Sequence, residues 1–261
     1  HVRANYGGKL TMIDRWFGKL LDSIDAQSLW DDTAVILCTD HGHYLGERDV
    51  WGKPGVPVYE QMGHIPLMIA WPGHAGGAID ALTTSVDISA TLAQIFGVTM
   101  SHRTHGKSLV PLLTGEATSI REHALQGYWG RAVHVTDGSV KYGRAPVDGN
   151  MPLAMWSNRW STMPVHIPNY QFPRPDRRAK LDFMPGSDVP VIRQPFQQGD
   201  MLPFWAMGRA PETTLFNIAE DPDESANRKG DPLEKRATEM LRAAMEEVDA
   251  PQEQYERLGI A

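Results

Sequence analysis

The residues with the most chemistry in this sequence stand together as Thr39-Asp40-His41-Gly42-His43-Tyr44-Leu45-Gly46-Glu47. They follow Thr33 to Thr39 (TAVILCT), a short, continuous apolar run rich in β-branched residues. Such a run predicts a strand buried on both faces, as in a parallel sheet covered by helices. Cys38 inside it reads as a small buried hydrophobe. In open α/β sheets, ligands bind beyond the carboxyl ends of the strands. A carboxylate and an imidazole at that place, followed by a glycine that lets the chain turn, are donors suited to a divalent metal. The same residues also fit a plainer role, with Asp40 capping the next segment and His41 at the surface. Trp51-Gly52-Lys53 comes thirteen positions after Asp40, then Tyr59-Glu60, Ile65-Pro66-Leu67-Met68-Ile69 and Trp71-Pro72-Gly73.

The elements around these residues read as α/β. Apolar residues at Tyr6, Leu10, Ile13, Phe17, Leu20 and Ile24 recur in steps of four and three, the stripe of an amphipathic helix that must pack on something larger. Ile65 to Ala70 predicts a second strand. Ser85 to Phe96 predicts another helix, stopped at Gly97. After about residue 120 the pattern changes. Ala132 to Thr136 and Ser139 to Tyr142 flank Asp137-Gly138, a strong hairpin signal, and Thr214 to Ile218 adds a further strand. Asp231-Pro232-Leu233-Glu234 is a capping pattern for a helix carrying Leu233, Ala237, Leu241, Ala244 and Val248. The expected division is an α/β part at 1–120 and a small antiparallel α+β subdomain at 121–261. Within the latter, 146–211 holds 11 of the 19 prolines with Trp156, Trp160 and Trp205, and reads as an ordered but irregular excursion.

Composition excludes several classes. The 261 residues suit one large domain or one with an appendage, and 41% hydrophobic residues with 24 glycines are a globular composition. A net charge of −7 without a long basic run argues against nucleic acid as a partner. No apolar stretch is long enough to span a bilayer. One cysteine excludes an internal disulfide and leaves the compartment unassigned, with bacterial cytoplasm and a periplasmic or secreted location both compatible. The chain opens at His1 within a helical pattern, so any signal sequence would lie upstream or have been removed.

Lined up as strand, DHGxxLG, xGK, YE, xPLxI and WPG, the segments from residue 33 to residue 73 resemble the sulfatase branch of the alkaline phosphatase superfamily. Trp30-Asp31-Asp32-Thr33 resembles that family's entry into its metal strand, and Ser85 to Gly97 resembles its "vDixpTlxxxxG" helix. Gly106 to Leu113 resembles its "GxSLxPLL" segment. Val135 to Gly138 with Lys141-Tyr142, Leu215 to Ile218, Asp221 to Glu224 and Asn227 resemble its C-terminal subdomain. The likeness covers most of the chain outside about 146–211.

The resemblance implies the C-terminal part of an alkaline-phosphatase-like sandwich with a mostly parallel sheet, and hydrolysis of sulfate esters. A phosphonate monoester or phosphodiester hydrolase, or a non-catalytic binder of the same fold, are the alternatives. It implies that Asp40 and His41 are metal ligands and that Lys53 binds sulfate or phosphate oxygens. A compact ammonium with three donors suits such a tetrahedral anion. His43 stands where relatives carry Glu or another polar residue, lining the site or facing solvent. His64 reads as structural, and Glu60 as a loop anchor. Calcium is the expected cation, with Mn²⁺ or Zn²⁺ left open by the nitrogen ligand. The family's C/S-x-P-x-R nucleophile signature, the source of formylglycine, is not found; Thr162-Met163-Pro164-Val165-His166 comes nearest and lacks the arginine. The chain is therefore expected to be a C-terminal portion, inactive without its N-terminal half. The expected substrate is a small-molecule or saccharide sulfate ester, and a homo-oligomer stays open.

Overall fold

The computed structural model describes residues 1–53, 57–158, 160, 174–183, 188–203, 206 and 211–261. Residues 162–166 and Trp205 lie outside that set. The first 120 residues hold helix α1 (Val2–Ala26), strand β1 (Val35–Cys38), a hairpin of β2 (Tyr44–Leu45) and β3 (Trp51–Gly52), and helix α2 (Glu60–Gly63). Strand β4 (Leu67–Ala70) and helices α3 (Val86–Ile95) and α4 (Val110–Leu113) follow. Among the described residues no helix is long and apolar enough to cross a membrane.

The α/β character is as expected, but the strand pairing differs. β1 and β4 run antiparallel, with Val35 opposite Ala70 and Cys38 opposite Leu67. Direction is a property of the whole connection, not of the local apolar run, so TAVILCT could not reveal it. Nor is β1 buried on both faces: its residues are half-buried and Cys38 is exposed. The pair has no third strand among the described residues. Likewise, of the 25 residues of α1 only Ile24 is buried, and Leu10, Ile13 and Leu20 of its apolar stripe stay exposed. The helix formed where periodicity placed it, but the described residues do not cover its stripe.

The second part is more fully packed. Strands β5 (Ala124–Gly127), β6 (Val133–Thr136), β7 (Val140–Arg144) and β11 (Thr214–Asn217) form an antiparallel sheet in the order β11-β7-β6-β5. At the β6–β7 turn, Asp137 Oδ1 accepts the N–H groups of Ser139 and Val140 at 2.9 and 2.7 Å. Helix α5 (Leu233–Glu247) lies on this sheet with α6 (Gln252–Leu258). Its buried residues, Ala237, Met240, Leu241, Ala244 and Met245, fall at the spacing of a single helical face. Asp231 Oδ1 accepts the Leu233 N–H while Glu234 Oε2 takes the Gly230 N–H, so both carboxylates serve the start of the helix, though not as a reciprocal pair.

The 146–211 stretch is not uniformly irregular. Strands β8 (Leu153–Ser157), β9 (Lys180–Phe183) and β10 (Pro190–Phe196) form a three-stranded antiparallel sheet in the order β8-β10-β9. Leu153, Met155, Trp160 and Phe196 build a separate small core. Prolines hid these strands. Pro195 sits beyond the end of the β9 pairing, where β10 has a strand on one side only and a missing N–H is tolerated.

Candidate active site

Two short segments converge beyond β1. The first is the turn 39–42, which leaves the strand and rests on α2. Gly42 N–H donates to Met62 O at 2.9 Å. A Cβ on Gly42 would sit 1.8 Å from Gln61 O, so only glycine allows the turn this close to the helix backbone. The second is the β2–β3 hairpin. Its register, Tyr44 with Gly52 and Leu45 with Trp51, folds the chain back so that Lys53 lies across from residue 43.

The geometry brings Asp40, His41 and Lys53 together. His41 Nδ1 is 2.7 Å from Gly42 O; a carbonyl only accepts, so Nδ1 carries the proton and Nε2 of the neutral ring is a bare acceptor. Lys53 Nζ donates to that Nε2 at 2.9 Å. Asp40 Oδ2 lies 3.4 Å from the same nitrogen. Asp40 Oδ1 accepts the His41 N–H at 3.0 Å and the Thr39 hydroxyl at 3.3 Å. Against a desolvation penalty, the neighbouring His41 and these hydrogen bonds hold the Asp40 carboxyl below the usual carboxylate range.

Lys53 and His41 leave no space between them for a tetrahedral anion, because the two nitrogens are in contact. A bare imidazole nitrogen and a carboxylate oxygen facing one region, with a cation already drawn in, are a donor set that fits a metal ion as two of its ligands. Among the described residues, no group of three or more His, Cys, Asp or Glu is arranged to hold a metal, so these residues do not form a complete ligand sphere.

His43 does not join them. It is exposed, with Nδ1 2.9 Å from Tyr44 O and its ring 5.5 Å from that of Tyr6 on α1. His64 is exposed and pairs with Glu60 Oε2 at 3.0 Å. Glu60 is an anchor, accepting from Lys141 Nζ at 2.7 Å.

Asp40 and His41 open onto a cleft of about 300 Å³ whose other walls come from Thr83, Thr84 and Ser85 and from Gln126, Gly127 and Tyr128. These walls were not found from sequence, in which Gln126 to Tyr128 carries no motif. Thr84 is positioned by the fully buried Asp87, which accepts its N–H at 2.7 Å and is itself paired to Arg121. Gln126 lies over Gly63, donating to its carbonyl at 3.4 Å. Gln126 Oε1 and the Tyr128 hydroxyl have no partner among the described residues. Val58, Met62, Ile65, Ala124 and Leu125 also line the cleft, so away from Asp40 and His41 it is uncharged, with polar and apolar parts.

Comparison with known proteins places the chain. Its mixed α/β fold is shared with solved structures. The solved phosphonate monoester hydrolase of Agrobacterium radiobacter superposes with a TM-score of 0.58 at 21% identity, over 95% of this chain and 40% of that one. A solved structure in complex with its substrate D-glucosamine-2-N,6-O-disulfate gives 0.60 at 17% identity, over 94% and 40%. At these identities the likeness speaks for the fold alone. Residues 1–98 match the sulfatase family model. The choline-sulfatase of Rhizobium meliloti (strain 1021) is 34% identical over 146 residues, 54% of this chain and 28% of that protein. The chain is thus similar to sulfatases, by family model in its first 98 residues, and it spans less than half the length of these relatives.

Proposed function

We propose that residues 40–53 form part of the catalytic site of a metal-dependent sulfuric ester hydrolase, with Asp40 and His41 as cation ligands and Lys53 as the group that binds the ester's anionic oxygens. The observation that carries this reading is the meeting of Lys53 Nζ with His41 Nε2 beside Asp40, across a hairpin and a turn. Asp40 supplies a carboxylate kept ionised by its hydrogen bonds, and His41 supplies a nitrogen whose tautomer is fixed by Gly42 O. A bound divalent cation, calcium in our reading, would act as a Lewis acid on a sulfate oxygen. With His41 Nε2 holding the cation, Lys53 would be free to offer its three donors to the anion. The positive charge it holds stabilises charge that gathers on the oxygens as the ester bond breaks. The attacking group is none of these three residues; the resemblance assigns that role to a formylglycine outside the 261 residues. The organic part of a small-molecule or saccharide sulfate ester would lie in the neutral cleft.

The test is where a paramagnetic cation settles. In NMR spectra of this chain, Mn²⁺ should broaden the signals of Asp40 and His41 before others, weakly because two protein ligands hold such ions loosely. The Asp40→Ala variant should lose that selectivity. Broadening that is the same in Asp40→Ala, or centred on another acidic cluster, would remove the metal assignment.

A further inference from the structure

The two segments that carry the site are tied to one residue far along the chain. Glu224 is 1% exposed and follows the β11 strand of the four-stranded sheet. Its backbone carbonyl accepts Arg48 Nη2 at 2.6 Å, and Arg48 lies in the β2–β3 turn that leads to Lys53. The neighbouring Asp223 carbonyl takes the same nitrogen at 2.5 Å, and the Arg48 guanidinium lies 3.8 Å over the Tyr59 ring. Its carboxylate meanwhile accepts the backbone N–H of Glu60, the first residue of α2, at 2.6 Å. Helix α2 is the surface on which the Gly42 turn rests. Glu224 is held for this by Lys141 of β7, also 1% exposed, whose Nζ is 3.3 Å from Glu224 Oε1 and 2.7 Å from Glu60 Oε1. The residue adopts a left-handed backbone, φ +50°, which a glutamate does not take without compensation from its surroundings.

We propose that Glu224 is a positioning residue for the Asp40–His41–Lys53 site, fixing the hairpin through its carbonyl and helix α2 through its carboxylate. This rests on the functional reading above only in taking that trio as the site. Glu224 touches none of the three, so it acts through Arg48 and Glu60. Two substitutions separate two roles of its side chain. Glu60 and Glu224 share the Lys141 ammonium, with His64 on the other oxygen of Glu60 and the Arg48 guanidinium on the Glu224 carbonyl. Glu224→Gln removes one carboxylate, leaves the Lys141–Glu60 pair in place and keeps an amide oxygen for the Glu60 N–H. Glu224→Ala removes the acceptor itself and frees the start of α2.

The experiment follows the His41 ring and Lys53 ammonium signals by NMR in the 261-residue chain, without and with inorganic sulfate. Glu224→Ala should shift both sets of signals in sulfate-free protein and weaken sulfate binding about tenfold. Glu224→Gln should stay close to the parent in both readouts. Leu241→Ala, which opens a cavity in the core of the same layer, should lower the melting temperature while leaving the His41 and Lys53 signals in place. Unchanged signals in Glu224→Ala, or equal shifts in Leu241→Ala, would overturn the proposal. Should Glu224→Ala not fold, Arg48→Met cuts the other tie, from an exposed residue, with the same expected and contrary results. If sulfate moves no signal in the parent chain, the functional reading fails, while the sulfate-free shifts still decide the positioning role.

Discussion

Gly52 pairs with Tyr44, and that register carries Lys53 back to within 2.9 Å of His41. The thirteen-residue spacing from Asp40 to Lys53 is therefore the length of one turn plus one tight hairpin. Its strands are two residues each, too short to announce themselves by alternation, and its turn uses left-handed conformations at Gly46, Arg48 and Asp49. A functional distance is fixed by a structure that has almost no local sequence signal.

Gly42 should tolerate no side chain. A Cβ there meets backbone atoms of Gln61 and Met62, which cannot rotate aside. Gly42→Ala should cost about 2–3 kcal/mol, the range of overpacking in a closed environment, and should displace the His41 ring signals. Urea denaturation with NMR of the folded state measures both. A loss below about 0.5 kcal/mol, the size of an indifferent surface change, would mean that the turn and α2 are not in contact.

Asp87 should be among the costliest residues to remove. It is fully buried, paired with Arg121, and accepts the N–H groups of Thr84 and Lys107. Asp87→Ala leaves the Arg121 guanidinium buried without its counter-charge, a loss of about 3–5 kcal/mol. Adding Arg121→Met should restore part of it, since the stranded charge is then gone. Equal stabilities of the single and double variants would place the energy in the backbone hydrogen bonds and not in the ion pair.

His134 should make the protein acid-sensitive. It is buried in β6, its ring nitrogens have no hydrogen-bond partner among the described residues, and burial, with the charge of Lys141, depresses its pKa from 6.5 to about 3. Between those values the unfolded chain binds a proton that the folded chain refuses. Its contribution is thus complete above about pH 6.5 and falls as the pH drops toward 3, by about 1.4 kcal/mol per pH unit. Urea midpoints at pH 7, 5 and 4 should separate the parent from His134→Phe, which lacks the proton site. Parallel pH profiles for the two would show that His134 does not supply this slope.

How much of this was legible depended on how local the cause was. Helix α1, the Asp137-Gly138 hairpin and the Asp231 cap of α5 arise from residues a few positions apart, and each formed where the pattern placed it. The antiparallel direction of β1 and β4 and the exposure of Cys38 depend on which elements lie alongside, which a run such as TAVILCT does not encode. Strands β8 to β10 were masked by the prolines at their ends. At the site, Asp40 and His41 drew attention by residue type alone, whereas Lys53 gained its place only through the family likeness. Gln126, Tyr128 and Glu224 act through contacts across 60 to 180 residues and left no trace in spacing.

The central claim is that Lys53 binds the anionic oxygens of a sulfate ester beside Asp40 and His41. The most direct measurement is turnover of 4-nitrophenyl sulfate by the protein that carries this chain together with its nucleophile, with Lys53 intact and as Lys53→Ala. The account predicts that the variant stays folded and loses turnover by about 10² or more, as for removal of one charge-stabilising donor. Near-normal turnover of the folded variant would contradict it and take Lys53 out of the mechanism.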